Sequence, residues 1–300
     1  MAEGDVGATQ IASQVRASFQ RSIETNSPID NADLAERRRE LLERPGVIAQ
    51  TPHVEITPSY MYGPSFTELD VPDPVKAVLT DLHDLSPGVG IHPPYLHQTE
   101  ALEHFFNPVS PSDLIVATGT GSGKTETFLY SILGMLAREA DRPSIKQHGV
   151  RALLLYPLNV LVSDQTSRLR RLFGDERVAQ YFRDHGGRHP YFGMYTGRTP
   201  YPNTRTNERD KRRLAELVNY YSNLDKSHNK LVRELKERGR WPSKDLTEFS
   251  RPGRDQYTTG LHDRELFTRH EMQQSAPDIL VTNYSMLEYM LLRPIERPIF

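Results

Sequence analysis

The chain of 300 residues carries 37 Lys and Arg residues against 39 Asp and Glu residues, and it contains no cysteine. Its length provides enough material for a buried core and for one large domain or about two ordinary ones. The net charge of −2 excludes a globally basic nucleic-acid binder, although it is compatible with a local basic patch. The missing cysteines exclude a disulfide framework and a thiolate zinc site within this chain, and no apolar run approaches the roughly 20 residues of a membrane span.

The first 89 residues are expected to form an N-terminal extension. The opening sequence lacks the basic and apolar regions of a signal peptide, which predicts a cytoplasmic protein without membrane attachment. Residues Asn31–Glu43 predict a short helix that ends before a Pro-Gly pair. Two interpretations stay open for this region, a solvated extension or an early contact with nucleic acid. Further on, Tyr60, Tyr62 and Phe66 lie among prolines and are expected to pack on a neighbouring domain.

Short apolar runs alternate with amphipathic stretches through the rest of the chain. Continuous apolar strands that are separated by helices indicate β-α-β units and a parallel sheet covered on both faces. The sequence therefore predicts an α/β fold. The predicted strands are Leu114–Ala117, Ala152–Tyr156, Tyr191–Thr196 and Asp278–Thr282, and the predicted helices are Lys124–Arg138, Asn159–Phe173 and Tyr284–Leu292.

A basic stretch interrupts this alternation between the third and fourth predicted strands. Residues 205–244 contain 12 Lys or Arg residues against 6 Asp or Glu residues. Leucine, valine and tyrosine residues recur there at helical spacing, so we expect a basic helical insertion within residues 197–275. The insertion either docks with a solvated charged face or widens a nucleic-acid footprint. The basic residues considered for that second role are Arg209, Lys211, Arg212 and Arg213, or Lys230, Arg233 and Lys236.

A phosphate-binding loop is predicted at Thr120–Thr125, whose sequence TGSGKT follows an apolar run and opens a predicted helix. Glycines allow consecutive N–H groups to turn inward around a phosphate, and the helix start adds partial positive charge. Lys124 would place its charge at the β- and γ-phosphates, and the Thr125 hydroxyl would ligate Mg²⁺. Thr118 stands where the strict pattern has glycine, and a glycine-rich turn without a ligand is the alternative. The predicted ATP-binding residues are Thr120, Gly121, Ser122, Gly123, Lys124 and Thr125, with Lys124 and Thr125 as the catalytic pair.

Three motifs resemble those of superfamily 2 helicases of the DEAD/DEAH type. The sequence TGSGKT resembles their motif I, and Tyr95–Leu102 is similar to the element that precedes it. A glutamine amide has donors and an acceptor and could bind adenine at two points, so Gln98 is the candidate adenine contact, with a helix-capping role as the alternative. Tyr156–Gln165 resembles motif Ia, and Thr282–Tyr289 resembles the motif that precedes motif II.

The resemblance implies a RecA-like ATP-binding domain over residues 90–300 and an ATP-dependent helicase that holds one nucleic-acid strand, DNA rather than RNA, at its strand ends. It extends to the large bacterial helicases with a cysteine-rich C-terminal zinc domain, which include mitomycin-repair helicases and helicases of anti-phage islands such as DISARM and Druantia. Partner subunits of a repair or anti-phage system are therefore expected. The implied nucleic-acid contacts are Pro157, Leu158, Asn159, Thr282 and Asn283.

The acidic pair of motif II is not found in the sequence. Asp175 and Glu176 are adjacent but follow a predicted helix rather than an apolar strand, and such a pair would have to hold Mg²⁺ and position the attacking water. We therefore expect the chain to be the N-terminal part of a larger enzyme and inactive in hydrolysis by itself. A translocase on double-stranded DNA and a nucleic-acid-binding scaffold with an inactive ATPase remain alternatives. A P-loop kinase or transporter ATPase would not require the second and third motifs.

Overall fold

The computed structural model divides the chain into two compact units, Met1–Ser59 and Tyr60–Phe300. Thr120, one of the predicted phosphate-loop residues, lies outside the described residues. No helix among the described residues is long and apolar enough to cross a membrane. The structure describes residues 7–50, 59–85, 93–107, 109, 113–119, 121–201, 208–227, 229–251 and 258–300.

The first unit contains two helices, α1 (Ala8–Asn26) and α2 (Ala32–Glu43). The side chain of Asn31 accepts a hydrogen bond from the backbone N–H of Leu34, which satisfies one of the free donors at the start of α2. The helix predicted over Asn31–Glu43 is thereby confirmed, with Asn31 as its cap. An ion pair between Arg39 and Glu24, at 3.3 Å, joins the two helices.

The second unit is built on a four-stranded parallel sheet in the order β1-β4-β2-β3. The central strand β4 is buried from Ile279 to Thr282, as expected for a parallel sheet covered on both faces. Tyr156 pairs with Asn283, and Tyr195 pairs with Thr282, so three strands end at the same edge. The predicted α/β fold with a parallel sheet is confirmed. The strands are β1 (Ala152–Tyr156), β2 (Phe192–Tyr195), β3 (Glu265–Leu266) and β4 (Ile279–Asn283).

Helices cover this sheet and form its core with side chains that are fully buried. Gly134 allows α3 and α4 to approach α5 closely, because a Cβ there would lie 2.7 Å from Val75 and 2.8 Å from Phe106. The helices predicted after β1, after β4 and after the phosphate loop are confirmed. The helices are α3 (Asp73–Leu85), α4 (Leu96–Phe106), α5 (Lys124–Ala140), α6 (Asn159–Leu172), α7 (Glu176–Gly186), α8 (Glu208–Ser227), α9 (Asn229–Glu237), α10 (Leu246–Phe249), α11 (Arg269–Gln274) and α12 (Tyr284–Leu292).

The strand predicted at Leu114–Ala117 is wrong. These residues have no regular secondary structure, and Ile115 is 90% exposed. A strand is stabilised by the hydrogen bonds of a neighbouring strand, and none of the described strands pairs with this segment. The compact unit also starts at Tyr60, whereas the predicted extension runs to residue 89, because α3 packs on α5. The domain limits at residue 90 and the insertion limits at 197 and 275 stay predictions.

The basic insertion contains α8, α9 and α10, so its predicted helical character is confirmed. Its apolar side chains form a small core of their own, in which Leu214 and Val218 of α8 meet Leu246 and Phe249 of α10. The backbone N–H of Tyr201, in the loop after β2, donates to Asp210 at 2.8 Å. The first turn of α8 is therefore held beside the carboxyl end of β2.

Candidate nucleotide and nucleic-acid sites

The loop before α5 has the backbone geometry that its glycines allow. Gly121 and Gly123 have φ angles of +77° and +76°, a region that residues with a side chain rarely adopt. Ser122 is buried, and its hydroxyl lies 2.6 Å from the hydroxyl of Thr118. Thr118, which stands where the strict pattern has glycine, thus closes the loop by bonding to Ser122 rather than disrupting it.

Lys124 folds back over this loop. Its ammonium donates to the carbonyl oxygen of Thr118 at 2.7 Å and to that of Gly119. A phosphate oxygen would compete with these two carbonyls for the same donors. Thr125 follows as the second residue of α5 and is partly exposed. The two predicted catalytic residues therefore lie together at the start of one helix, where the helix dipole favours negative charge.

Gln98 connects α4 to the phosphate loop. Its Oε1 accepts from the backbone N–H of Tyr95, and its Nε2 donates to the carbonyl oxygen of Gly123, each at 3.0 Å. The side chain is fully buried. The capping role considered for this glutamine is thus present, together with a contact to the loop that sequence spacing did not predict. Its contact with adenine stays a prediction.

Aromatic rings lie against the same loop. Tyr60 and Tyr62 each have their ring centroid 5.3 Å from that of Tyr95, and His97 stacks on Tyr95 at 5.9 Å. A Cβ on Gly119 would lie 2.5 Å from the Tyr60 hydroxyl, so the loop and this ring approach closely. The sequence predicted that these tyrosines pack on a domain but did not place them at the phosphate loop.

The predicted nucleic-acid residues of β1 and β4 meet at the carboxyl edge of the sheet. The Asn283 side chain donates from Nδ2 to Oδ1 of Asn159 at 2.7 Å. Its own Oδ1 accepts from the backbone N–H of Met286 and caps α12. Pro157 and Leu158 precede α6 and are exposed. These four residues lie at one edge of the sheet, and their contact with nucleic acid stays a prediction.

Thr282 does not share that surface. Its side chain is fully buried, and its hydroxyl donates to the carbonyl oxygen of Tyr195 at 2.6 Å, which ties β4 to β2. A backbone contact from Thr282 stays a prediction, and its hydroxyl would first have to leave Tyr195.

The loop after β2 adds a basic residue that sequence analysis missed. The Thr199 hydroxyl donates to the carbonyl oxygen of Met194 and accepts from the backbone N–H of Thr196, which fixes the turn. Arg198 lies within this turn and is exposed. Because β2 lies beside β4, Arg198 is held at the same sheet edge as Asn283. The signal was a polar Thr-Gly-Arg-Thr sequence directly after a predicted strand.

Two arginines of α6 are ion-paired. Arg168 donates to Glu126, in the first turn of α5, at 2.7 Å. Arg170 forms a two-point pair with the buried carboxylate of Glu265, at 2.6 and 2.7 Å. The first pair joins the helix that starts at the carboxyl edge of the sheet to the helix that starts at the predicted phosphate loop.

Comparison with known proteins agrees with this geometry. Residues 95–190 match the DEAD/DEAH box helicase family. This part of the chain belongs to the DEAD/DEAH box helicase family. The chain is 44% identical over 308 residues to the Druantia protein DruE of Escherichia coli (strain UMEA 4076-1), an alignment that covers 94% of this chain and 17% of that protein. The uncharacterized ATP-dependent helicase MJ1574 of Methanocaldococcus jannaschii is 35% identical over 71 residues, which are 24% of this chain and 9% of that protein.

No solved structure matches the chain. The alignments with the two relatives cover about a sixth of the length of the Druantia protein DruE and less than a tenth of the length of MJ1574. The matched residues include the loop before α5, the helix α5, the strand β1 and the helix α6.

Proposed function

We propose that this chain binds ATP with Mg²⁺ at the phosphate loop and one strand of nucleic acid at the carboxyl edge of its sheet, as the ATP-binding part of an ATP-dependent helicase. The observation that carries the proposal is the position of Lys124, whose ammonium lies over its own loop at the start of α5. The donor set fits a nucleotide: a lysine, a threonine hydroxyl and backbone N–H groups freed by two glycines. Titration of the chain with a fluorescent ATP analogue tests it.

Each residue has a separate role in this proposal. Lys124 neutralises the β- and γ-phosphates, and the Thr125 hydroxyl ligates Mg²⁺, which supplies charge compensation to the phosphates. Gln98 orients the nucleotide through Gly123 and binds the adenine. Asn159, Asn283 and Arg198 hold phosphates of one strand, a kind of contact that positions a protein without reading sequence. The ion pair between Arg168 and Glu126 joins the helix at the proposed nucleic-acid site to the helix at the proposed ATP site.

Two related activities use the same residues. A translocase on double-stranded DNA would share every contact above, and only an unwinding assay separates it from a helicase. A scaffold that binds nucleic acid without hydrolysis would bind ATP yet show no turnover. We propose DNA as the polymer, on the likeness to repair and anti-phage helicases, and competition between DNA and RNA of the same sequence tests this choice.

We expect Gln98→Ala to weaken ATP binding more than CTP or UTP binding. A lost two-point contact, with a partner left unsatisfied, corresponds to about 1–3 kcal/mol. Some loss for every nucleotide is expected as well, because Gln98 also holds Gly123. Titrations with the three nucleotides measure the difference, with the exposed Gln274→Ala as control. Equal losses for all three would leave Gln98 with a positioning role only.

We expect the replacement of Lys211, Arg212 and Arg213 by Gln to flatten the dependence of DNA affinity on salt. Asp210 anchors this turn of α8 beside the end of β2, near the proposed DNA strand. Each lost phosphate contact lowers the slope of log affinity against log salt by about 0.7–0.9. The matched control replaces Lys230, Arg233 and Lys236 of α9, which removes the same charge.

That control is expected to leave the slope unchanged. Lys236 lies over the Trp241 ring at 5.6 Å, and the carbonyl oxygen of Arg240 accepts from Arg170, near the end of α6. α6 runs away from the carboxyl edge of the sheet, so these residues lie at its far end. Equal effects of the two triple variants, or no effect of the first, would count against a footprint on α8.

A further inference from the structure

Large apolar side chains are exposed around the Asn159–Asn283 pair. Leu158 is 62% exposed, Val160 is 77% exposed, and Tyr284 is 62% exposed. Leu158 and Val160 flank Asn159, and Tyr284 follows Asn283, so the 2.7 Å bond between the two asparagines places these three residues at the same edge of the sheet. We call them the strand-end apolar rim. Apolar side chains that are grouped on a surface mark an interaction site.

The backbone of Tyr284 is tied to two helices. Tyr284 is the first residue of α12, whose cap is Asn283. The capping side chain bonds both to Met286 and to Asn159, so the backbone at residues 283–284 is tied to α12 and to the start of α6. Stacking of the ring on a ligand would therefore not have to order this backbone.

The chemistry of the rim differs from that of a phosphate site. The two asparagines and Arg198 suit phosphate oxygens, whereas an exposed aromatic ring with aliphatic neighbours suits the face of a base. Base faces are accessible in a single strand, where stacking on aromatic side chains is tolerant of sequence. In a duplex only the base edges reach the grooves.

We propose that Tyr284 stacks on an unpaired base and that this domain therefore holds single-stranded rather than double-stranded nucleic acid. The inference rests on the proposed function, which places a strand at this edge, and adds the substrate class to it.

The test compares three labelled ligands of equal length: an oligodeoxythymidine strand, a strand of the same backbone in which the bases are replaced by abasic units, and a duplex. The unaltered chain binds the thymidine strand more tightly than the abasic strand and the duplex. Tyr284→Ala weakens binding of the thymidine strand by about 5- to 150-fold, as expected for one lost stack, and leaves the abasic strand unchanged. Tyr284→Phe retains the stack and the affinity.

Tyr289 provides the matched control on the same helix. It is 52% exposed, and its ring lies under the guanidinium of Arg293 at 5.3 Å rather than beside the asparagine pair. Tyr289→Ala is expected to change neither strand's affinity. Because both tyrosines are exposed, circular dichroism should show that both variants fold.

Several outcomes would overturn the inference. An equal loss on the thymidine and abasic strands would make Tyr284 a backbone contact. No loss on either strand would assign the rim to a protein partner, and tighter binding of the duplex by the unaltered chain would reverse the substrate class. If the unaltered chain binds none of the three ligands, the proposed nucleic-acid function is wrong as well as the role of Tyr284. If the unaltered chain binds the thymidine strand and the abasic strand equally well, only the proposed role of Tyr284 is wrong.

Discussion

Lys124→Ala is expected to weaken ATP binding by about 10- to 100-fold and to leave the fold intact. A hydrogen bond to a charged group contributes about 1.5–3 kcal/mol, and the Lys124 ammonium already lies where the loop carbonyls of Thr118 and Gly119 converge. The side chain is only partly buried, so its removal leaves no large cavity. In a helicase that contains this domain and hydrolyses ATP, the same change should abolish hydrolysis.

The measurement is a titration with fluorescent analogues of ATP and AMP. Because Lys124 acts on the β- and γ-phosphates, the variant should lose affinity for ATP while its affinity for AMP stays that of the unaltered chain. Lys146, an exposed lysine in the 3₁₀ turn after α5, gives the control Lys146→Ala. An ATP affinity in Lys124→Ala equal to that of the unaltered chain would remove the phosphate-loop assignment.

The sheet and the main helices could be predicted because their local signals agree with one another. β1 is an unbroken apolar run and β4 begins with one, and the helix after each strand starts at or directly after an asparagine, Asn159 or Asn283. Asn283 illustrates the agreement: its side chain caps α12, and the helix begins at the next residue. Periodicity and capping are properties of neighbouring residues, so a single sequence contains them.

The failures concern interactions between distant segments. Leu114–Ala117 is as apolar as β1, yet it has no neighbouring strand among the described residues, and apolar composition cannot reveal a missing partner. The helix α3 was assigned to an extension because nothing in its own sequence shows that Gly134 leaves room for it on α5. The wrong strand and the unpredicted position of α3 both arise where packing, rather than local preference, decides the structure.

In the candidate site, too, local sequence predicts some residues, and contacts between distant segments decide the others. The residues of the phosphate loop were predictable because glycine, lysine and threonine are each required by phosphate chemistry at a fixed spacing. The bond from Gln98 to Gly123 and the bond from Thr282 to Tyr195 were not predictable, since each joins residues that are far apart in the sequence. Resemblance alone treats Thr282 and Asn283 alike, whereas the structure buries the first and leaves the second partly exposed.

The lysine count of the insertion shows how composition can mislead. Lys244 was counted with the basic residues of a solvated face, but its side chain is 0% exposed. Its ammonium donates to Asp263 at 2.6 Å and to Glu271 at 2.8 Å, and it lies 4.7 Å from the centroid of the Phe249 ring. Both carboxylates are buried as well. Lys244 thus joins the end of the basic stretch, residues 205–244, to the segment before β3 and to α11.

Lys244→Met is expected to destabilise the second unit by about 3–5 kcal/mol. Methionine has a similar volume, so little packing is lost, but two buried carboxylates lose their cation, and an uncompensated buried charge has about that cost. Burial lowers the pKa of Lys244, yet attraction to Glu271 and Asp263 outweighs it and raises the pKa above its ordinary value of 10.5. A raised pKa gives stabilisation that is complete below 10.5 and lost only as the pH rises through the folded value, so measurement at neutral pH captures the whole difference.

Urea unfolding, followed by tryptophan fluorescence, gives the measurement. Trp241 is the single tryptophan of the chain and lies three residues before Lys244, so its signal reports on this part of the second unit. Arg251→Gln is the matched control, because Arg251 pairs with Glu248 at 3.5 Å with both side chains exposed, and such pairs contribute less than about 1 kcal/mol. If Lys244→Met costs no more than Arg251→Gln, the two carboxylates reach solvent or take up protons at little cost, and the insertion is not held to the sheet by this lysine.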